Sequence, residues 1–167
     1  MSGENQTLVD NILKSKLIFV DFDGTICLHL VPVNYRQSEI WNIDTEAAYQ
    51  AVFKNSIPNK YLIHFLAHAQ SNGAKIVLLS SASSKALEMK DKWLDRHCHG
   101  LFSECIAVQS HEEKIACAEA YIAMRAKYPG AKQTALMIDD SSDVLRKAHQ
   151  CGIMAASPST ITEIYEH

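Results

Sequence analysis

The sequence predicts an α/β fold, a parallel five-stranded sheet with helices on both faces, and three observations predict it. Short apolar runs alternate along the chain with amphipathic helical patterns, the order of a sheet wound by right-handed crossovers. The runs are continuous rather than alternating, as suits strands covered on both faces. Several of them end abruptly in carboxylates or hydroxyls, which puts polar groups at the edge where open α/β sheets hold ligands. At 167 residues and 47% hydrophobic content the chain is long enough for one domain, 1–167, with a substantial core.

Residues 1–15 place Leu8, Val9, Ile12 and Leu13 at helical spacing, a leader helix with no chemical groups. Lys16 to Val20 is the first strand, and it runs into Asp21-Phe22-Asp23-Gly24-Thr25. Asp21 and Asp23, two apart in an extended segment, share a face at the strand's carboxyl end. Gly24 lets the backbone turn where the strand stops. Two carboxylates at 4 Å repel by about 4 kcal/mol at an effective dielectric near 20, so a divalent cation is their natural partner. Residues 27–59 are the least regular part, a short flap with Tyr35, Arg36 and Trp41 and a helical run from about Thr45 to Asn55. An aromatic beside a guanidinium suits a base, sugar or acidic group; plain packing is the competing account.

From Pro58 to about Ser71, Tyr61, Leu62, Phe65, Leu66 and Ala69 define an amphipathic helix, with Gly73 beyond its end. His64 and His68 share one face of it, and without a third ligand they read as a solvated face. The second strand, Ala74 to Leu79, enters Ser80-Ser81-Ala82-Ser83-Ser84 before a helix from about Lys85 to His97. A hydroxyl leaving a strand beside helix amino-terminal amides makes an anion site, although Ser83 or Ser84 also serves as a cap. Arg96-His97-Cys98-His99-Gly100 crowds metal-ligating types together at a helix end, where Gly100 fits a C-cap and the structural reading prevails.

Cys105 to Val108 is the third strand, and Ser110-His111-Glu112-Glu113 has the form of a capping box opening a helix that Pro129-Gly130 ends. The dipole disfavours a lysine in a first turn, so Lys114 either reaches for an anion or is simply exposed. Thr134 to Ile138 is the fourth strand and ends in Asp139-Asp140-Ser141-Ser142-Asp143. The helix after it carries Val144, Leu145 and Ala148 and closes at Cys151-Gly152; Ile153 to Ala156 is a short fifth strand, and Ser157-Pro158 opens a terminal helix.

Bulk properties narrow the function. Sixteen basic against 19 acidic residues give a net charge of −3, with no basic excess for nucleic acid or an anionic membrane surface. Five cysteines without a C-x-x-C pair argue for reduced thiols rather than a disulfide framework. Residues 1–16 lack the apolar core of a signal peptide, and no apolar stretch approaches membrane-spanning length, so a cytoplasmic, soluble protein is expected.

Asp21, Asp23, Ser80, Asp139, Asp140 and Asp143 thus gather at one sheet edge, with Lys114 able to approach from a helix start. They form a cage for a hard, oxygen-seeking cation, with a hydroxyl and an ammonium for an anion beside it; Mg²⁺ and a phosphoryl group satisfy all the parts. The order D-F-D-G-T, serine, lysine, D-D-S-S-D over about Lys16 to Ala156 resembles the haloacid dehalogenase-like superfamily of phosphatases and phosphotransferases, whose domain is Rossmann-like.

That resemblance implies roles. Asp21 becomes the nucleophile that forms an aspartyl-phosphate and ligates Mg²⁺, and Asp23 the general acid and base, its backbone carbonyl on the metal. Ser80 binds phosphate, or Ser81 if the strand ends one residue later, with Gly24 and Thr25 also beside the phosphoryl group. Lys114 neutralises phosphoryl oxygens, with Lys75 or Lys85 as alternatives. Asp140 is the third metal ligand, with Asp139 as a further ligand or a support and Asp143 supporting from behind. An aspartate two residues after the nucleophile goes with phosphate chemistry rather than dehalogenation. The 27–59 insertion is too short for a full cap domain, so the site is open to a bulky substrate or closed by this flap or by a second copy in a homo-oligomer. The implied function is a Mg²⁺-dependent phosphatase acting on a phosphorylated small molecule; a mutase would need a cap to exclude water, and loss of Asp21 or Asp23 would have marked a binding-only domain.

Overall fold

The computed structural model describes residues 3–30, 52–125 and 134–165. In chain order they form α1 (Gly3–Leu13), β1 (Leu17–Val20), β2 (Cys27–His29), β3 (Ser56–Pro58), α2 (Lys60–Ser71), β4 (Lys75–Ser81) and α3 (Ser84–His97). These are followed by β5 (Glu104–Val108), α4 (His111–Arg125), β6 (Ala135–Ile138), α5 (Ser142–Gln150), β7 (Met154–Ala156) and α6 (Pro158–Tyr165). The main sheet has the order β5-β4-β1-β6-β7 and every pairing in it is parallel. This is the α/β class that the alternation of patterns predicts.

Side chains alternate across the strands and so build two cores. Ile18, Val20, Ile76, Leu78, Leu136 and Ile138 join Ile12 of α1, Leu62, Phe65 and Leu66 of α2, Trp93 and Leu94 of α3, and Ile161 of α6 on one face. Phe19, Val77, Leu79 and Met137 join Ile115, Ala118 and Ile122 of α4 and Val144 and Ala148 of α5 on the other. The first two crossovers, through α2 and α3, lie on the first face, and the next two, through α4 and α5, on the second. The winding reverses beside β1, which opens a crevice at the carboxyl ends of β1, β4 and β6.

Element boundaries differ from expectation by a residue or two, and one difference matters. β4 continues two residues past Leu79 and takes in both Ser80 and Ser81. In the irregular segment, β2 and β3 pair antiparallel, with His29 opposite Ser56, and so join the two arms of the flap. Tyr35, Arg36, Trp41 and most of the helix expected from Thr45 lie outside the described residues. Phe22 anchors the flap base to the body: its buried ring meets Phe53 edge-on at 5.7 Å and Trp93 at 5.2 Å. The Trp93 indole N–H donates to Ser56 Oγ at 2.8 Å.

His64 and His68 are exposed on α2. At the end of α3, His97 stacks on Trp93 and Gly100 takes a positive φ of 71°, a structural arrangement. No helix among the described residues is long and apolar enough to cross a membrane.

Candidate active site

The crevice is built from strand ends outward. Asp21 follows β1, its N–H bonded to the Ile138 carbonyl at 2.9 Å, and Asp139 follows β6; both are buried. Across from them, Ser110 caps α4, its Oγ accepting the Glu113 N–H at 3.2 Å while Glu113 accepts from the Gln109 N–H. That cap starts the helix at the crevice rim, so Lys114 enters from its first turn. The Lys114 Nζ donates to Asp21 Oδ1 at 2.9 Å and to Asp139 Oδ2 at 2.7 Å, and the side chain is only 2% exposed. Lys75 sits at the opposite end of the sheet, paired with Glu104. The side chain of Lys85 lies outside the description.

Asp139 spends its second oxygen on the Ser141 N–H at 2.9 Å. Carboxylate oxygens of Asp21, Asp139 and Asp140 nevertheless lie within 4.8 Å of one another. Burial, reinforced by Asp139 and opposed by Lys114, pushes Asp21 up to about 7. Burial and the neighbouring Asp139 also raise Asp140. Burial alone would favour neutral Lys114, but Asp21 and Asp139 outweigh it and hold its pKa above the ordinary lysine value. One ammonium therefore leaves three close carboxylates short of positive charge, and a hard dication matches that all-oxygen donor set. Asp143 is not among these groups: it turns outward to Arg146 at 2.5 Å and Lys147 at 2.8 Å, correcting its expected supporting place.

A cavity of about 360 Å³ opens over this cluster, with Asp21, Asp23, Ser81, His111, Lys114 and Asp140 on its wall. Ser81, not Ser80, faces it. Because β4 runs on through both serines, alternation sends them to opposite sides. Ser80 is fully buried on the α3 side and accepts from Lys90 Nζ at 2.8 Å, which corrects the first choice for the phosphate-binding hydroxyl. The Ser81 Oγ and the buried Thr25 Oγ1 have no hydrogen-bond partner among the described residues. Orphaned hydroxyls cost about 1–3 kcal/mol each, a penalty that an arriving anion would relieve at Ser81. Gly24 contributes by lacking a side chain. Its N–H is already donated to the Cys27 carbonyl at 3.0 Å, its φ is +70°, and a Cβ there would lie 2.2 Å from Asp140 Oδ2. Its amide therefore serves the turn rather than an anion.

Asp23 is held from two sides. His29 Nε2 lies 2.9 Å from Oδ1, and since an ionised carboxylate only accepts, that nitrogen carries the proton. Lys90 Nζ donates to Oδ2 at 2.5 Å. Burial would raise the Asp23 pKa, but the His29 bond and the Lys90 charge outweigh it and hold it below the usual value. No local motif marks His29, Lys90 or the place of His111 on the cavity wall. A signal for Lys90 existed: it falls on the buried stripe Ala86, Lys90, Trp93, Leu94 of α3, where a lysine has to find a partner.

No family model matches the chain and no curated protein matches its sequence. Solved structures share its fold. A protein from Bacteroides fragilis described as a haloacid dehalogenase-like hydrolase superposes with a TM-score of 0.59 at 14% identity, covering 85% of this chain and 86% of its own. A predicted phosphoglycolate phosphatase from Haemophilus somnus gives 0.59 at 16% identity, covering 90% and 91%. The 3-deoxy-D-manno-octulosonate 8-phosphate phosphatase of Moraxella catarrhalis, solved with a magnesium ion, phosphate and the sugar acid, gives 0.51 at 12% identity, covering 85% and 67%. The chain has the fold of haloacid dehalogenase-like hydrolases.

Two outcomes follow from this geometry. Gly24→Ala should cost about 1–2 kcal/mol from its backbone alone and also displace Asp140, weakening Mg²⁺ binding measured by calorimetry. Gly73→Ala, at φ +84° with open space around it, should pay the first cost and leave metal binding unchanged. The second outcome concerns pH. Asp21 binds its proton more tightly folded than unfolded, so its stabilising contribution is complete below 3.8 and is lost as pH rises to about 7. In chelator, Asp21→Asn should melt a few degrees above wild type at pH 8, and the gap should narrow at pH 5 and close only below 3.8. A gap independent of pH would contradict the assigned environment of Asp21.

Proposed function

We propose that the chain is a Mg²⁺-dependent phosphatase that hydrolyses the phosphomonoester of a small molecule through an aspartyl-phosphate on Asp21. One observation carries the reading: a buried carboxylate, braced by Lys114, faces an open cavity beside a second carboxylate, Asp23, and an unpartnered hydroxyl, Ser81. The shared fold, including a neighbour solved with magnesium, phosphate and a sugar acid, supports it.

The residues divide the work. An Asp21 oxygen attacks phosphorus, forming the acyl phosphate as the bond to the leaving oxygen breaks. Lys114 and Ser81 hold the phosphoryl oxygens and offset their charge, without which attack by one anion on another is unfavourable. The protonated form of Asp23, a minority because His29 and Lys90 favour the carboxylate, gives its proton to the leaving oxygen. It then takes one from the water that attacks the acyl phosphate, releasing inorganic phosphate and restoring Asp21. The donors that hold Asp23 ionised ready it for this second half. Asp21 and Asp140, with Asp139 beside them, would hold the Mg²⁺, which when bound supplies charge neutralisation to carboxylates and phosphoryl group alike.

The test is phosphate release from a panel of nucleotides, sugar phosphates and an aryl phosphate, with Mg²⁺ and with chelator. Release should require the metal, vanish in Asp21→Asn, and fall by about 100-fold in Lys114→Ala. Release that persists in chelator or in Asp21→Asn would overturn the reading.

A further inference from the structure

We infer that His29 and Lys90 are positioning residues that clamp the Asp23 carboxylate against the leaving-group side of the cavity, an assignment that rests on the phosphatase reading. Each Asp23 oxygen is taken by one donor, and the two donors come from different elements: His29 from β2 at 2.9 Å and Lys90 from α3 at 2.5 Å. A carboxylate with both oxygens bonded this way loses the freedom to swing about its own side-chain torsions. Proton transfer in a transition state depends on that direction, since a displacement near 1 Å costs about 100-fold.

The burial of Lys90 singles it out. Its side chain is 4% exposed, and among the described residues it and Lys114 are the two buried lysines. Each of them bridges a carboxylate of the cavity wall, Lys114 at Asp21 and Lys90 at Asp23. A lysine in an apolar helix stripe costs more than a leucine unless its charge is used. Besides Asp23, Lys90 is held by the body of the fold: Ser80 in the sheet at 2.8 Å and the Phe22 ring at 5.0 Å beneath its ammonium. His29 adds the second direction from the flap arm, its side chain 9% exposed, and so ties the base of the flap to Asp23.

Such a clamp acts on the proton, not on phosphate binding, and leaving-group dependence exposes it. An alkyl phosphate needs its departing alkoxide protonated, whereas a nitro-substituted aryl phosphate leaves without that help. His29→Ala and Lys90→Met should each lose about 100-fold in kcat on an alkyl phosphate but only a few-fold on the nitroaryl ester. KM should stay nearly constant, and the pattern should match that of Asp23→Asn. Unchanged Mg²⁺-dependent thermal stabilisation would show that the metal cage is intact. If Lys90→Met does not fold, His29→Ala, placed on the flap arm rather than in the core, decides alone. Equal losses on both esters, or no loss on either, would overturn the clamp and leave the phosphatase reading standing. A wild type that releases phosphate from neither ester would overturn both.

Discussion

A single ammonium, the Nζ of Lys114, joins the carboxylates that end two neighbouring strands, and the crevice keeps its shape through it. The bond geometry is set by covalent neighbours: β1 and β6 deliver Asp21 and Asp139 side by side because their backbones are paired in register, Val20 opposite Ile138. Lys114 arrives from α4 on the far side of the crevice. Removing the ammonium would leave two buried carboxylates uncompensated, at a cost of about 3–5 kcal/mol. Even complete, the bridge is short of positive charge, because Asp140 adds a third carboxylate that Lys114 does not reach. The deficit is what makes the cavity receptive to a cation.

The two faces of the sheet supply two different lysines to two different aspartates. From the second face, α4 gives Lys114 to Asp21; from the first, α3 gives Lys90 to Asp23. The division follows from β4, whose alternation offers Ser80 to Lys90 and Ser81 to the cavity. Asp21 and Asp23 are thereby held by separate charges, and their protonation tendencies diverge: Asp21 is raised and Asp23 lowered.

What the sequence made legible were features carried by local pattern. Apolar runs that stop in Asp21 and in Asp139 mark strand ends, and the capping box at Ser110 locates Lys114 within a turn. The sequence left undecided whatever depends on one residue of register or on distant contact. Ser80 and Ser81 are chemically alike, and only the true end of β4 decides which faces the cavity. Asp143 lies close in sequence to Asp140 but one helical turn carries it outward to Arg146 and Lys147. Lys90 and His29 are brought to Asp23 by tertiary packing, from 67 residues away in one case and from a flap arm of no clear period in the other.

The most direct measurement is to identify the residue that carries the phosphoryl group during turnover. A reaction quenched in acid, reduced with borohydride and digested for mass spectrometry converts an aspartyl-phosphate to homoserine at the position that bore it. The account predicts homoserine at position 21 and nowhere else, dependent on substrate and Mg²⁺. Phosphate on Ser81, or turnover with no trapped residue at position 21, would contradict it.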